Sequence, residues 1–450
     1  MKKNVLALGL LVMLIPGFLG ASGNGEAASP STGKQIIKWA VPSWWLEWAE
    51  PQAENFNKQS AEYEVKIVEL VSGQDMYTKM TMMMQSPRTA PDLITEDGFK
   101  INGDAAAGYL QPLDDFIKTW DDTKQFTKSI LDGAKGPDGK QYGIPFSTDT
   151  QGIWYNKALF AKAGISIPWQ PKNWNDIIVA ALKLKASNGT DFTPIFLYAS
   201  AVSPEETSMR TFQALYSGTN SALYDYGQGK WIVDRSNLLK TFAFINRVFN
   251  IDKVGPSLSL VSHKNVEDLF LNDYMKNGKL GMIFTGNWIT NNWAAGKKYD
   301  WPDAMQVWGF ANIPTAEGGS PGYTTMSGGW TWAIPVNAPN KKGAEVFLKY
   351  VASKDVQLSY ALSRRDLAVR SDVMNDPAYL NQERSVIRET SEQLKYAHFR
   401  PSVEGYEKVS ILYTELVEAI AQGTITPEQA VAQYEGELKK IVGDTRVTVK

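Results

Sequence analysis

QYGIPFSTDTQGIWYNKALFAKAG, residues Gln141–Gly164, is the stretch on which the reading of this chain turns. It opens apolar at Ile144, Pro145 and Phe146 and turns polar over Ser147, Thr148, Asp149, Thr150 and Gln151. It is apolar again over Gly152–Tyr155. Asn156 has the short acceptor side chain that caps a helix, Leu159, Phe160 and Ala163 supply that helix with an apolar face, and Gly164 supplies its stop. A strand that breaks into small polar residues and then resumes suits a chain passing between two lobes. It sets Asp149 where the lobes would meet.

On the N-terminal side, Gln35–Val41 reads as a strand and Leu46–Gln59 as a helix, with Pro51 tolerable only in its first turn. Glu64–Leu70 alternates as a strand does. Gln74–Ser86 is a helix whose Met76, Met80, Met83 and Met84 recur at core-packing spacing, and Asp92–Thr95 is a short buried strand. This βαβαβ order predicts a parallel sheet covered by helices. On the C-terminal side, helices are predicted at Asn173–Ser187, Met209–Tyr216, Leu238–Phe249, Ser262–Asn277, Ala344–Ser353, Val403–Gln422 and Thr426–Val442. Thr426, Pro427 and Gln429 open the last with a capping box. Strands are predicted at Thr193–Leu197, Gly281–Phe284, Trp308–Ile313 and Gly329–Pro335.

A chain of 450 residues allows two or three domains, and 43% hydrophobic content fills them. Lys and Arg number 46 against 48 Asp and Glu, so no bulk basic field exists for nucleic acid or anionic lipid. Cysteine is absent, which excludes disulfides, thiolate metal sites and cysteine nucleophiles. The two histidines, His263 and His398, sit in no motif and read as surface or loop residues. No cofactor and no metal are expected. The fifteen tryptophans exceed what a core demands and suit stacking on sugar rings.

Ligands of open α/β sheets lie beyond the carboxyl ends of the strands. The loops this rule selects carry Trp44 and Trp45, Glu96 and Asp97, Trp288, and Gly329 with Trp330. Tryptophan covers the apolar C–H faces of a sugar, and carboxylates accept charge-assisted bonds from its hydroxyls. Trp44 and Trp45 are adjacent, so one of them faces the cleft if the segment is extended. One of Glu96 and Asp97 is placed in the site. Trp332 shares a face with Trp330 and lies deeper. Glu205 and Glu206 read as a solvated helix start, so Glu205→Ala is expected to leave binding unchanged.

The Gln141–Gly164 stretch resembles the inter-lobe crossing of the extracellular solute-binding proteins that serve carbohydrate ABC importers, where a segment like yGiP…YNkdlFkkaG occurs. Other segments follow that family's order. They include Ala90-Pro91-Asp92-Leu93-Ile94, Ala107–Leu113, Gly278–Trp288, Gly328-Gly329-Trp330, Arg400-Pro401, and Gly423 with Thr426–Ala430. The resemblance runs from Ile36 to Val442 and is similar to the maltodextrin-binding members. It implies an α/β, two-lobed periplasmic-binding-protein-like fold with three inter-lobe crossings of the type II style. Lobe 1 is then 35–146 plus 315–352 and lobe 2 is 152–312 plus 356–450, with crossings near 147–151, 313–314 and 353–355. It also implies a ligand-binding carboxylate at Asp149, stacking by Trp288, and an arginine near the sugar at Arg400, with Arg364, Arg365 and Asp366 weaker candidates. The implied function is capture of a sugar for an importer's permease subunits by a monomer that closes about its hinge, and the aromatic supply without a cluster of Arg and Lys points to a neutral di- or oligosaccharide.

Met1–Ala21 has the basic start, apolar run and small-residue exit of a signal peptide, and Ser22–Lys34 reads as a tether. Leu19-Gly20-Ala21 resembles the sequence that precedes a lipidated cysteine, but Ser22 stands where the thiol is needed. The expected location is extracytoplasmic, with membrane association through the importer, or through a lipid anchor if Ser22 replaces a native cysteine. Two other classes share carboxylates and tryptophan. One is a secreted glycosidase using Asp149 and Asp97, and the other is a surface carbohydrate-adhesion module.

Overall fold

The computed structural model describes residues 33–71 and 76–450. The expected signal peptide, nearly all of the tether, and the start of the predicted Gln74–Ser86 helix lie outside the described residues. Gln35–Lys450 is the folded unit. Among the described residues it contains four sheets, two large ones of five and four strands and two small ones of three strands each.

The first sheet has five strands in the order Tyr63–Leu70, Gln35–Pro42, Leu93–Asp97, Gly329–Ala333 and Gly143–Thr148. The first three are parallel, as the βαβαβ pattern requires. Gly329–Ala333 enters antiparallel to both its neighbours. One face of this sheet buries Ile37, Trp39 and Val41 against Phe347, Leu348 and Val351, with the Trp39 and Phe347 rings 5.0 Å apart. The other buries Ala40 and Ile94 against Met76, Met80 and Met84, so the methionine stripe is core packing. Helix Leu46–Gln59 carries Pro51 beyond its first turn. The hydrogen bond this forfeits is to the carbonyl of Glu47, an exposed residue whose carbonyl solvent can reach.

The second sheet has the order Trp308–Ala311, Gln151–Asn156, Leu280–Gly286 and Thr193–Phe196. Its faces are covered by Trp174–Ser187 and the C-terminal helices on one side and by the Phe196, Phe270, Trp293 and Trp308 cluster on the other. The chain leaves the first sheet at Thr148 and enters the second at Gln151. Asn156 caps helix Lys157–Lys162, and Thr426 with Gln429 closes a capping box on Pro427–Val442. The predicted Ser262–Asn277 helix is shortened to Val266–Leu269 and a π-helical turn Phe270–Tyr274, with a separate short helix Leu258–Val261 before it.

Two expected boundaries fall elsewhere. Ile313–Pro314 pairs with Tyr323–Ser327, and Met326 packs among Ile153, Leu215 and Tyr413 of the second sheet's core. The chain therefore rejoins the first sheet only at Gly329. Helix Lys354–Arg364 stays on the first core, where Val356 and Tyr360 pack with Trp45 and Phe146. Arg370 still bonds Asp122 (3.0 Å) and the Ala352 carbonyl (2.7 Å). Arg384 is the first cation beyond it to bond the second sheet's layer, at Asp300 (2.7 Å). Periodicity marks which face of a segment is apolar, and it is silent on which sheet covers that face.

Gly329 has φ +144°, and a Cβ placed there would lie 2.3 Å from the Ser147 carbonyl oxygen. Gly329→Ala is expected to destabilise the fold by about 1–3 kcal/mol through backbone strain, before any cost of the clash. Denaturant titration measures this, and an unchanged midpoint would contradict the close approach of these two strands.

Candidate functional site

A cleft of about 1560 Å³ is lined by residues from both sheets. Its aromatic corner begins where the Gln35–Pro42 strand ends. The chain does not continue extended there but makes a 3-10 turn over Ser43–Trp45, which throws the two rings apart. Trp45 is 3% exposed and packs on Phe146 (5.4 Å), whereas Trp44 is 38% exposed. Half-buried Trp330 stands edge-on to both, 5.8 Å from Trp44 and 4.6 Å from Trp45. Trp332 is fully buried and stacks on Phe146 at 4.2 Å. Of the adjacent pair, Trp44 is the ring that presents itself to the cleft.

The opposite wall starts at the end of Leu280–Gly286. A 3-10 turn over Asn287–Asn291 follows, and the Trp288 ring folds back over Gly286 so closely that a Cβ there would lie 1.8 Å from it. Asn287 pins the turn by accepting from the Thr150 N–H (3.0 Å) and donating to the Arg365 carbonyl (2.9 Å). The Arg210 guanidinium lies 5.1 Å from the Trp288 ring centre, within cation–π range. It is held by Glu267 (2.7 Å) and the Tyr198 hydroxyl (3.1 Å). Arg210 had no signal in the sequence.

At the floor, Asp149 Oδ1 accepts from the Gly328 N–H at 3.1 Å. Burial pushes the Asp149 carboxyl up to about 7, and the nearby Asp366 adds to this while the Gly328 N–H opposes it. Arg400 is 5% exposed. Its Nη2 donates to Asp97 Oδ1 at 2.7 Å, its Nη1 donates to Glu205, and its guanidinium lies 4.1 Å from the Phe99 ring centre. Asp97 also accepts from the Tyr77 hydroxyl at 3.1 Å. Burial raises the Glu205 carboxyl to about 7, with Arg400 opposing. The Glu205 side chain keeps 38% exposure, and it is the pairing with Arg400 that corrects the expectation of a free, solvated Glu205. The helix start at Pro204–Glu206 faces the cleft, and Glu205 shares Arg400 with Asp97.

Glu96 does not reach the cleft. The strand runs to Asp97, two residues further than predicted, so Glu96 lies within it and points to the face opposite Asp97. It is fully buried, and burial and Asp104 push its carboxyl well above the usual range. Arg364 Nη1 donates to the Trp44 carbonyl (3.0 Å) and holds the aromatic turn, and Arg365 Nη1 is turned away to the Glu383 and Arg384 carbonyls (2.6 Å each). Asp366 lines the cleft. Trp44, Trp45, Asp97, Asp149, Trp288, Gly329, Trp330 and Arg400 are thus brought to one cleft. Both carboxylates weighed as a glycosidase pair already have partners, Asp97 the Arg400 guanidinium and Asp149 the Gly328 N–H.

Arg400→Met would strand Asp97, whose side chain is 7% exposed, without its cation. Breaking one partner of a buried pair costs about 3–5 kcal/mol, so a marked drop in the unfolding midpoint is expected. Asp97→Asn in the same chain should recover part of it. Equal midpoints for wild type and Arg400→Met would show that the pair is not coupled to folding.

The profile of the bacterial extracellular solute-binding protein family matches residues 41–358 of this chain. A galactooligosaccharide-binding protein of Bacillus subtilis (strain 168) is 22% identical over 440 residues, covering 96% of this chain and 95% of that protein. Among solved structures, an ABC transporter solute-binding protein of Thermotoga lettingae bound with α-D-tagatose superposes with a TM-score of 0.77 at 23% identity. It covers 91% of this chain and 100% of the other. The maltose-bound MalE3 of T. maritima superposes at 0.76 and 20%, over 90% and 100%. At these identities the structural likeness establishes the two-lobed α/β fold with its cleft. The family match carries further: this chain belongs to the bacterial extracellular solute-binding proteins, which are non-enzymatic carriers for ABC importers.

Proposed function

We propose that the chain captures a neutral di- or oligosaccharide outside the cytoplasmic membrane and delivers it to the permease subunits of its importer. The observation that carries this reading is the pairing of aromatic walls, Trp44 with Trp330 on one side and Trp288 on the other, across a floor of carboxylates. The cleft's 1560 Å³ exceeds the roughly 300–1,000 Å³ of ordinary small-ligand pockets, which supports more than one sugar ring. Arg400 and Arg210 are each held by carboxylates, so neither stands free for a phosphate or uronate. The galactooligosaccharide-binding and maltose-bound relatives support the same class.

The lobes proposed are 35–148 with 329–372, and 151–327 with 383–450, closing about Asp149–Thr150, Gly328 and the third connection. Burying the sugar between them couples binding to a shape the permease can recognise. Met1–Ala21 is proposed as the signal peptide and the mature chain as a monomer, lipid-anchored only if a cysteine occupies position 22 in the native protein.

Thermal-shift screening of a carbohydrate panel should find neutral oligosaccharides that raise the melting temperature. Shifts from uronates, phosphates or peptides alone would overturn the reading, and turnover of the sugar would mark an enzyme instead. With the best panel ligand, Trp288→Ala should weaken binding by about 2 kcal/mol in calorimetric titration without loss of folding. Asp149→Ala, which removes a charge-assisted acceptor, should cost about 1.5–3 kcal/mol. Wild-type affinity in both variants would put the sugar elsewhere. Saturating ligand should also reduce the radius of gyration in small-angle scattering, and an unchanged value would count against closure.

A further inference from the structure

Thr148 and Leu367 form an isolated antiparallel bridge, with Thr148 N–H donating to the Leu367 carbonyl (3.0 Å) and Leu367 N–H donating back (2.8 Å). The bridge sets the flanking residues, Asp149 and Asp366, beside one another on adjoining segments, and both line the cleft. Asp149 Oδ1 takes the Gly328 N–H, and Asp366 Oδ2 takes the Tyr360 hydroxyl. Among the described residues no donor reaches Asp149 Oδ2 or Asp366 Oδ1, and these are the two oxygens left for a ligand.

Like charges opposed across a strand pair repel, and two carboxylates that share a site do not both ionise cheaply. Two cations face the pair, Arg400 by Asp149 and Arg364 by Asp366, and relieve this only in part. Arg400 is shared by Asp97 and Glu205, which themselves add negative charge. Arg364 favours the charged form of Asp366 while its Nη1 donates to the Trp44 carbonyl. Tyr360 donates without contributing charge. Burial and Asp366 push Asp149 up to about 7, and burial raises Asp366 against the opposing effects of Arg364 and the Tyr360 hydroxyl.

We infer that Asp149 and Asp366 act as a single ligand-binding unit that keeps one proton between them, so that sugar capture is tied to that proton. The unit offers one O–H donor beside one carboxylate, which matches neighbouring hydroxyls of which one accepts and the other donates. This rests on the reading of the cleft as a sugar site. It adds Asp366 to the ligand contacts and assigns the two carboxylates complementary roles.

Two measurements test it. Without ligand, the wild type should lose melting temperature as pH rises from about 5 to about 9, because the pair's protonation is raised in the fold and its loss restores the repulsion. Asp366→Asn keeps an acceptor for Tyr360 and removes one charge, so its melting temperature should overtake the wild type above about pH 7. Asp149→Asn, which keeps an acceptor for Gly328, should do the same. Parallel curves for all three proteins would overturn the inference whatever the cleft binds.

With the best panel sugar, calorimetric titration in two buffers of different ionisation enthalpy should show affinity falling by about tenfold per pH unit above about pH 7, with proton uptake. Asp366→Asn should abolish that slope. Affinity independent of pH in the wild type, or a slope unchanged in both variants, would overturn the proposal. Affinity that rises with pH and releases a proton would also overturn it and would mean that a cationic ligand fills the pair. If no panel sugar binds while the ligand-free curves diverge as expected, the sugar reading falls and the shared proton stands.

Discussion

The buried guanidinium of Arg400 is the constraint to which both walls of the cleft answer. Asp97 comes from the end of a strand in the first sheet and Glu205 from a helix start over the second, and each brings a carboxylate to it. A guanidinium this buried is tolerable only while paired, so the two walls meet here or the charge must find water. Tyr77 and Phe99 complete the enclosure from the first lobe's helices. Lys297–Glu47 and Lys100–Glu407 also span the walls, but Glu47 and Glu407 are largely exposed, and such pairs contribute little.

The aromatic supply divides by depth. Trp39, Trp154, Trp231, Trp293, Trp308 and Trp332 are fully buried and belong to the cores. Trp44, Trp330 and Trp288 remain at the cleft, each placed by a local backbone device. For Trp44 it is the 3-10 turn that parts it from Trp45. For Trp330 it is the strand that Gly329 lets approach Ser147. For Trp288 it is the space left by Gly286. A carrier gains from this arrangement because a ring fixed before the sugar arrives loses little rotamer freedom on binding.

Local readings succeeded where short-range chemistry decides. The Asn156 and Thr426 caps, the methionine stripe and the depth of Trp332 beside Trp330 all follow from spacing along the chain. Glu96 shows the limit of that logic. Its place beside Asp97 suggested either residue for the cleft, but a strand two residues longer turned Glu96 to the opposite face. Glu205 shows a second limit, because a charged helix start looks solvated until a cation from nearly two hundred residues away reaches it.

By itself the sequence determined the α/β class, the break in the strand at Asp149, the absence of thiol chemistry, and the tryptophans that line the cleft. Those properties follow from residue type and near-neighbour spacing, which act within a turn or a strand. The tertiary structure alone decided that Thr315–Ser327 stays with the second sheet and helix Lys354–Arg364 with the first. It alone joined Arg400 to Asp97 and Glu205, and set Asp366 beside Asp149. Each of these depends on contacts between segments far apart in the chain, and an apolar or charged residue carries no local mark of the distant partner that will cover it.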